Sequence, residues 1–303
     1  MILENIVLVI GLIGLGSLAK RSRIFPANTA EVLNVFILNI SLPAIILVNI
    51  PKMVLDSKLL IPVAVHWVAF LVHVLILFCI SKFIKMPRKV FGTLLIVTTL
   101  GNTAFLGIPL STTFFGDDAI AYAVLYDQLG SGFGFIIMAA FVLPLYVGKK
   151  VGNPRDVMLG LLKFPPFVAL ALGFLFMFLP MPAVAENYLN SIADTLIPCA
   201  MIAVGFQMKY KLPRSILAPL SIGLFVKLLV LPLFMLFLVS FFDRSNIAMK
   251  VSLLQSGMPP MITAGAMVIN EKMEEDLCTS LVGYGLIFSF VSLSFLNYLT
   301  GVL

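Results

Sequence analysis

The chain has 303 residues, of which 61% are hydrophobic and only 11% are charged. Soluble domains are about half apolar and about a quarter charged, so a water-soluble enzyme, a nucleic-acid-binding protein and a disordered protein are all excluded. In a membrane protein, the basic residues behind the formal net charge of +6 indicate which loops face the cytoplasm, and they do not indicate affinity for nucleic acid. The composition predicts an all-α integral membrane protein.

Ten apolar segments are predicted to cross the membrane as helices, because one crossing and a short turn take about 25–30 residues. In chain order these spans cover residues 2–19, 29–50, 59–81, 90–115, 119–147, 159–180, 186–207, 214–241, 247–269 and 276–302. The segments lack the alternation of barrel strands. The first has neither a basic leader nor a small-residue cleavage site, so we expect an uncleaved helix and not a signal peptide.

Basic residues are distributed unevenly between the two sets of alternating loops. One set contains fifteen Lys and Arg and the opposite set contains four, while Lys227 lies inside span eight. Because cytoplasmic loops carry the excess of Lys and Arg, we expect both termini to lie on the non-cytoplasmic side of the cell (inner) membrane.

The two halves of the chain resemble each other at an offset of about 155–157 residues. Asn34 corresponds to Asn190, and Gly101 corresponds to Gly257. The predicted organisation is a first repeat over 1–147, a short cytoplasmic linker over 148–158 and a second repeat over 159–303. Five spans per repeat is an odd number, so the second repeat is inverted relative to the first. Inverted repeats are typical of secondary transporters.

Spans four and nine have glycine, proline and polar residues where a helix would cross the middle of the membrane. Proline removes a backbone donor and glycine tolerates unusual dihedral angles, so both helices are predicted to be broken and to cross. Backbone groups freed there must be buried in protein or line a wet cavity, and helix N-termini suit a carboxylate. The predicted substrate-binding residues are Gly101, Asn102, Thr103, Pro109, Gln255, Ser256, Gly257, Met258, Pro259 and Pro260, together with Gln128 in span five.

The alternative for these two spans is a pair of proline kinks that only shape helix packing. For Pro43 and Pro198 in spans two and seven we prefer that structural interpretation. Asn39 and Asp194 lie one turn before these prolines and are expected to satisfy the freed backbone groups.

Charged side chains inside a spanning helix cost about 2.5–3.5 kcal/mol each and therefore need a reason. Asp127 in span five is the candidate for coupling to a proton or a cation, and Lys227 in span eight is the second candidate. The alternative is that they pair with each other, or that Lys227 extends to one surface. His66 and His73 are about 10 Å apart on one face of span three and are expected to be structural, with no metal site.

The strings Leu38–Ala44 and Gly101–Leu110 and the proline pair of span nine resemble the auxin efflux carrier family, which includes bacterial malate-permease-like members. The resemblance implies ten helices in two inverted five-helix repeats. It implies a scaffold of spans one, two, six and seven and a transport domain of spans three to five and eight to ten. It also implies a small organic anion at the crossing, contacted by Asn102, and a homodimer formed through the scaffold.

These observations together predict a secondary transporter of small organic carboxylates, such as malate or an auxin-like acid, that works by alternating access. A proton or a sodium ion is the expected coupling ion, and no cofactor is expected. A channel-like or uniporting anion pathway is the alternative. An intramembrane enzyme is disfavoured because the sequence has no Gly-x-Ser-x-Gly or His-Glu-x-x-His motif.

Overall fold

The computed structural model describes residues 2–52, 57–148, 153, 155, 164–179, 181–207, 216–241 and 246–300. Every regular element in these ranges is helical. The helices are α1 Ile2–Ser22, α2 Thr29–Lys52, α3 Leu60–Phe83, α4 Arg88–Thr99, α5 Thr103–Phe115, α6 Asp118–Val147, α7 Pro165–Phe176, α8 Ala183–Phe206, α9 Leu217–Val239, α10 Ile247–Ser256, α11 Ile262–Asn270 and α12 Glu275–Thr300.

Six of these helices, α2, α3, α6, α8, α9 and α12, are long and apolar enough to cross a membrane. This confirms the prediction of a multi-pass, all-helical membrane protein. Two predicted spans are each split in the structure: residues 90–115 form α4 and α5, and residues 247–269 form α10 and α11. Most of the predicted linker at 148–158 lies outside the described residues.

Prolines widen these helices more often than they end them. Four π-helical segments stop two residues before a proline: Ile37–Ser41 before Pro43, Thr103–Gly107 before Pro109, Met138–Val142 before Pro144, and Val226–Val230 before Pro232. A proline inside a helix has no N–H to donate and its ring crowds the carbonyl four residues earlier. The wider π turn gives that carbonyl room without ending the helix.

The expectation for Pro43 and Pro198 is met only in part. The Asn39 side chain donates to the Val35 carbonyl at 2.7 Å, so it does bind a backbone carbonyl. Asp194 is exposed, and its neighbour Thr195 instead bonds to the Ile192 carbonyl at 2.6 Å. A hydroxyl reaches back to a carbonyl of the preceding turn more easily than a carboxylate, which has no proton to donate when ionised.

Contacts divide the chain into two compact units. Unit 1 comprises Met1–Asp56, Ala104–Val124 and Leu159–Met208, and unit 2 comprises Ser57–Thr103, Leu125–Met158 and Lys209–Leu303. Two of the five dividing points fall directly after Thr103 and within α6.

Unit 1 depends on close helix packing at small residues. α1 packs along the C-terminal half of α8, where Gly16 faces the Ile202 backbone and Gly205 faces the Ile13 backbone. Ser17 donates to the Gly205 carbonyl at 3.0 Å. Small residues let two backbones approach closely, which is the usual basis of helix association in membranes.

Unit 2 contains the residues of both interruptions, 100–103 and 257–261, together with clusters of buried hydrophobic residues. Its packing again uses glycines, since a Cβ on Gly223 would lie 2.7 Å from Leu94 and 3.0 Å from Leu281. A Cβ on Gly285 of α12 would lie 2.5 Å from the ring of Pro260. The proline pair of the second interruption is therefore held against α12 by a glycine.

The close approach of α1 and α8 predicts that Gly16→Ala destabilises the protein. The added methyl group would overlap the Ile202 carbonyl, and overpacking of this kind costs about 1–3 kcal/mol. Gly14→Ala on the same helix is the matched control, because a Cβ there meets nothing within 4 Å and the gain in helix propensity is the same. Thermal unfolding in detergent should show a lower melting temperature for Gly16→Ala alone. Equal melting temperatures would contradict the close packing.

Candidate functional site

The two interrupted helices meet at their interruptions. The Asn102 N–H donates to the Pro259 carbonyl at 2.7 Å, and the Met261 N–H donates to the Leu100 carbonyl at 3.1 Å. Gly101 and Pro260 thereby form an isolated antiparallel bridge. Extended backbone at Leu100, with φ −91° and ψ 137°, allows this pairing. Each interruption thus supplies a hydrogen-bond donor and an acceptor to the backbone of the other.

This pairing corrects one expectation about the backbone amides. The Asn102 and Met261 N–H groups are not free to bind an anion, because each is already bonded to a carbonyl of the opposite segment. The first amides of α5 and α11 still have no acceptor within their own helices. The positive helix ends at the crossing therefore come from the first turns of these two helices.

Asp127 lies close to the crossing and is 4% exposed. Its Oδ1 accepts a hydrogen bond from the Thr103 hydroxyl at 2.5 Å, and its Oδ2 accepts one from the Gln128 amide at 2.6 Å. Asp127 and Gln128 belong to the π-helical segment Tyr126–Gly132 of α6, a type of distortion that often marks functional sites. The carboxylate thus fixes the residue from which α5 begins.

Lys227 is 3% exposed and belongs to the π-helical segment of α9. A Cβ on Gly101 would lie 3.5 Å from the Lys227 amine nitrogen, so the amine lies against the crossing where a side chain is missing. The sequence left open a pair between Asp127 and Lys227. In the part of the chain that the structure describes, the two do not form an ion pair within 4.0 Å, and Asp127 is bonded to Thr103 and Gln128 instead.

A small cavity of about 10 Å³ lies beside Lys227, within unit 2. It is lined by residues of five helices and the crossing, including His66, Thr99, Gly101, Thr103, Ser131 and Gln255. The volume is close to the minimum for one water molecule, so a dicarboxylate does not fit. Asn102 does not line the cavity although both of its neighbours do.

Four polar side chains that line this cavity have no hydrogen-bond partner among the described residues: His66, Thr99, Ser131 and Gln255. Sequence reasoning selected Gln255 but missed Thr99 and Ser131 and assigned His66 to a structural role. Ser131 lies in the same π-helical segment as Asp127. Neither Thr99 nor Ser131 belongs to a sequence motif that would have indicated a functional role.

The two histidines of α3 have different surroundings. The His66 ring packs edge-on against Tyr126 at a centroid distance of 4.9 Å. His73 Nε2 lies 2.9 Å from the Thr98 hydroxyl, which itself donates to the Leu94 carbonyl. The Thr98 proton is thereby used, so His73 donates from Nε2 and is held in one tautomer. Both histidines are buried, and whether they are structural stays a prediction.

The remaining predicted residues are placed as follows. The Asn102 side chain is buried. Ser256 donates to the Leu253 carbonyl at 2.7 Å, so its hydroxyl already has an acceptor. A Cβ on Gly257 would lie 3.0 Å from Leu293, and Met258 is fully buried. Pro109 is in the first turn of an α-helical part of α5, in unit 1 and not with the crossing residues of unit 2.

Comparison with known proteins supports a transport role for this architecture. The family model described as "Membrane transport protein" matches residues 1–297. The chain belongs to this family, the auxin efflux carrier family. An uncharacterized transporter of Methanothermobacter thermautotrophicus is 24% identical over 96% of this chain and 95% of its own length. An uncharacterized transporter of Methanocaldococcus jannaschii is 27% identical over 69% of this chain and 70% of its own length.

Membership of the auxin efflux carrier family confirms the resemblance drawn from the sequence. It supports a transporter function for the chain. Both of these relatives are uncharacterized transporters, and their names specify no substrate.

The bond between Thr103 and Asp127 predicts that Thr103→Val destabilises the protein. The isosteric change removes a hydrogen bond to a buried carboxylate, and such bonds contribute about 1.5–3 kcal/mol. Thr93→Val is the matched control, since the Thr93 hydroxyl is fully buried and has no partner among the described residues. Thermal unfolding should show a lower melting temperature for Thr103→Val, and an unchanged or slightly higher melting temperature for Thr93→Val. The opposite order would show that the Thr103 bond does not stabilise the crossing.

Proposed function

We propose that the protein is a secondary transporter of small organic carboxylates that works by alternating access, with the substrate bound at the crossing. The observation that carries this proposal is the pairing of the two interruptions through Asn102 and Met261. Asn102, whose side chain is buried, directly precedes the first residue of α5, and Met261 directly precedes the first residue of α11. A neutral amide and two positive helix ends are suited to a carboxylate.

The pattern of helix pairs within each unit supports two inverted repeats of five spans. In unit 1, α1 packs on the second half of α8, and α7 packs on the second half of α2. In unit 2, α3 packs on α10, and α9 packs on α4. In the predicted repeat, α1 and α2 correspond to α7 and α8, and α3 and α4 correspond to α9 and α10. The two helix pairs of each unit are therefore equivalent when the repeats are exchanged, as an inverted repeat requires.

The division into units supports a scaffold and a transport domain. Unit 1 includes α1, α2, α7 and α8, which are the predicted scaffold spans. Unit 2 includes α3, α4, α9, α10, α11 and α12. The segment Ala104–Val124 groups with unit 1, so the proposed transport domain is smaller than the sequence implies. Homodimerisation through the scaffold is part of this proposal.

The residues proposed for the substrate site supply both polar and apolar groups. Asn102 supplies an amide, and the Oε1 of Gln128 has no partner among the described residues, whereas Met258, Pro259 and Pro260 supply apolar surface. We therefore propose substrates that combine a carboxylate with a compact apolar body, such as a malate-like dicarboxylate or an auxin-like acid. The excess of basic residues in one set of loops supports insertion in the cell membrane with both termini on the non-cytoplasmic side.

Counterflow measurements test the mode of transport. Purified protein in liposomes preloaded with unlabelled carboxylate should accelerate the uptake of the same labelled carboxylate. A panel that contains malate, an aromatic acetic acid and an amino acid identifies the substrate class. Conduction without counterflow would overturn the carrier mechanism and support the channel alternative. The absence of flux for every carboxylate would overturn the proposed substrate class.

Asn102→Ala should weaken carboxylate binding about ten- to hundredfold, because one hydrogen bond to a charged group contributes about 1.5–3 kcal/mol. The protein should still fold, since the Asn102 backbone N–H that bonds to Pro259 is retained. Binding is measured by the ligand-dependent shift in melting temperature. Asn39→Ala, in α2 of unit 1, is the control and should bind as the wild type does. Wild-type affinity in Asn102→Ala would remove this residue from the substrate site.

A further inference from the structure

Lys227 is a buried cation without a nearby counter-ion. Within the described ranges its amine has no carboxylate within 4.0 Å. It lies against Gly101, directly beyond the C-terminus of α4, where the negative end of the helix dipole favours a cation. A lone ammonium in a low-dielectric interior is nevertheless costly. Its charge must therefore be compensated or removed at some stage of the functional cycle.

The cavity beside Lys227 is suited to one water molecule bound to neutral groups. Thr99, Ser131 and Gln255 line it, and each has a buried polar atom without a partner among the described residues. A buried water needs two to four polar partners, and these side chains together with the amine supply them. A metal cation is disfavoured, because the ammonium occupies this oxygen-rich pocket and would repel a second cation.

Other titratable groups face Lys227 from its neighbouring helices. His66 of α3 and Tyr126 of α6 line the same cavity, and His73 is buried on α3. His73 is held by Thr98, and Asp127 has a donor on each oxygen. α4 and α10 contribute only the neutral residues Thr99, Gly101 and Gln255 to the cavity or its rim. Among these groups, His66 and Lys227 both line the cavity, and Lys227 is the one that is ordinarily a cation at neutral pH.

We propose that Lys227 is the proton-carrying group of the transporter and that the water in the cavity beside it conducts the proton, so that transport is coupled to protons and not to sodium. This inference rests on the proposed carboxylate transport. The Lys227 ammonium gives one proton to the cavity water, which passes it to the aqueous phase on the receiving side. The amine keeps the electron pair and is reprotonated from the supplying side.

Charge balance explains why such a step would couple the two fluxes. A carboxylate at the crossing compensates the ammonium form of Lys227, and an empty crossing suits the neutral amine. Either combination avoids an additional unbalanced charge in the membrane, where a charge is costly. The protein then moves the carboxylate and one proton together, and it returns empty with neutral Lys227.

The test compares gradient-driven accumulation with counterflow in proteoliposomes. In the wild type, an acidic exterior should drive accumulation of the substrate, and exchange of sodium for potassium should have no effect. Lys227→Met and Lys227→Arg should each lower the ratio of accumulation to counterflow at least tenfold, because the first cannot carry a proton and the second does not release one. Lys250→Met, at a partly exposed position of α10 in the same unit, is the matched control and should accumulate substrate as the wild type does.

Three results would overturn the proposal: accumulation driven by sodium in the wild type, counterflow in the wild type without any response to the proton gradient, or an undiminished proton response in Lys227→Met or Lys227→Arg. Loss of the proton response in Asp127→Asn or His66→Gln, with retention in Lys227→Met, would assign the proton to another residue. If Lys227→Met does not fold, the Lys227→Arg variant and the replacement of sodium by potassium in the buffer still test the proposal. Absence of counterflow in the wild type would instead refute the carboxylate transport itself.

Discussion

Backbone hydrogen bonding is the constraint on which the crossing depends. In a membrane, N–H and C=O groups released by a helix break have no bulk water to bind, and each unsatisfied group costs several kcal/mol. One break alone would therefore be unstable. Two breaks become compatible with the membrane when each supplies the acceptor for the other, as Leu100 and Asn102 do with Pro259 and Met261. The duplicated interruption is thus a structural requirement as well as a means of building a site.

Much of this arrangement can be predicted from the sequence because glycine and proline act locally. The adjacent prolines Pro259 and Pro260 cannot continue a helix, and the corresponding Gly101 predicts the partner break. The same logic fails for Pro43, Pro109, Pro144 and Pro232, where the chain forms a wider π turn and continues. A proline specifies that a carbonyl is crowded, and the surrounding packing decides whether the helix ends or widens.

The partners of buried polar groups could not be predicted, since they depend on contacts between distant segments. Asp127 and Lys227 were open candidates for one ion pair, yet Asp127 binds Thr103 and Gln128. The amides expected to face an anion include two that pair across the crossing. Thr99 and Ser131 have no distinguishing sequence motif and gain interest only because the fold places them with Lys227 and Gln255 around one cavity.

The separation of Asn102 from this cavity would allow one short segment to serve both proposed functions, substrate binding and proton transfer. Gly101 and Thr103 line the cavity and Asn102 does not, and in extended backbone successive side chains point to opposite sides. An anion bound by Asn102 and a proton held by Lys227 would therefore be close in space without sharing one pocket, because the Lys227 amine lies against Gly101. Their charges attract each other through a few residues of low-dielectric protein, where electrostatic interactions are strong. Binding of the anion then favours the ammonium, and loss of the proton weakens binding of the anion. This reciprocity follows from linkage between two sites and needs no direct contact between the ligands.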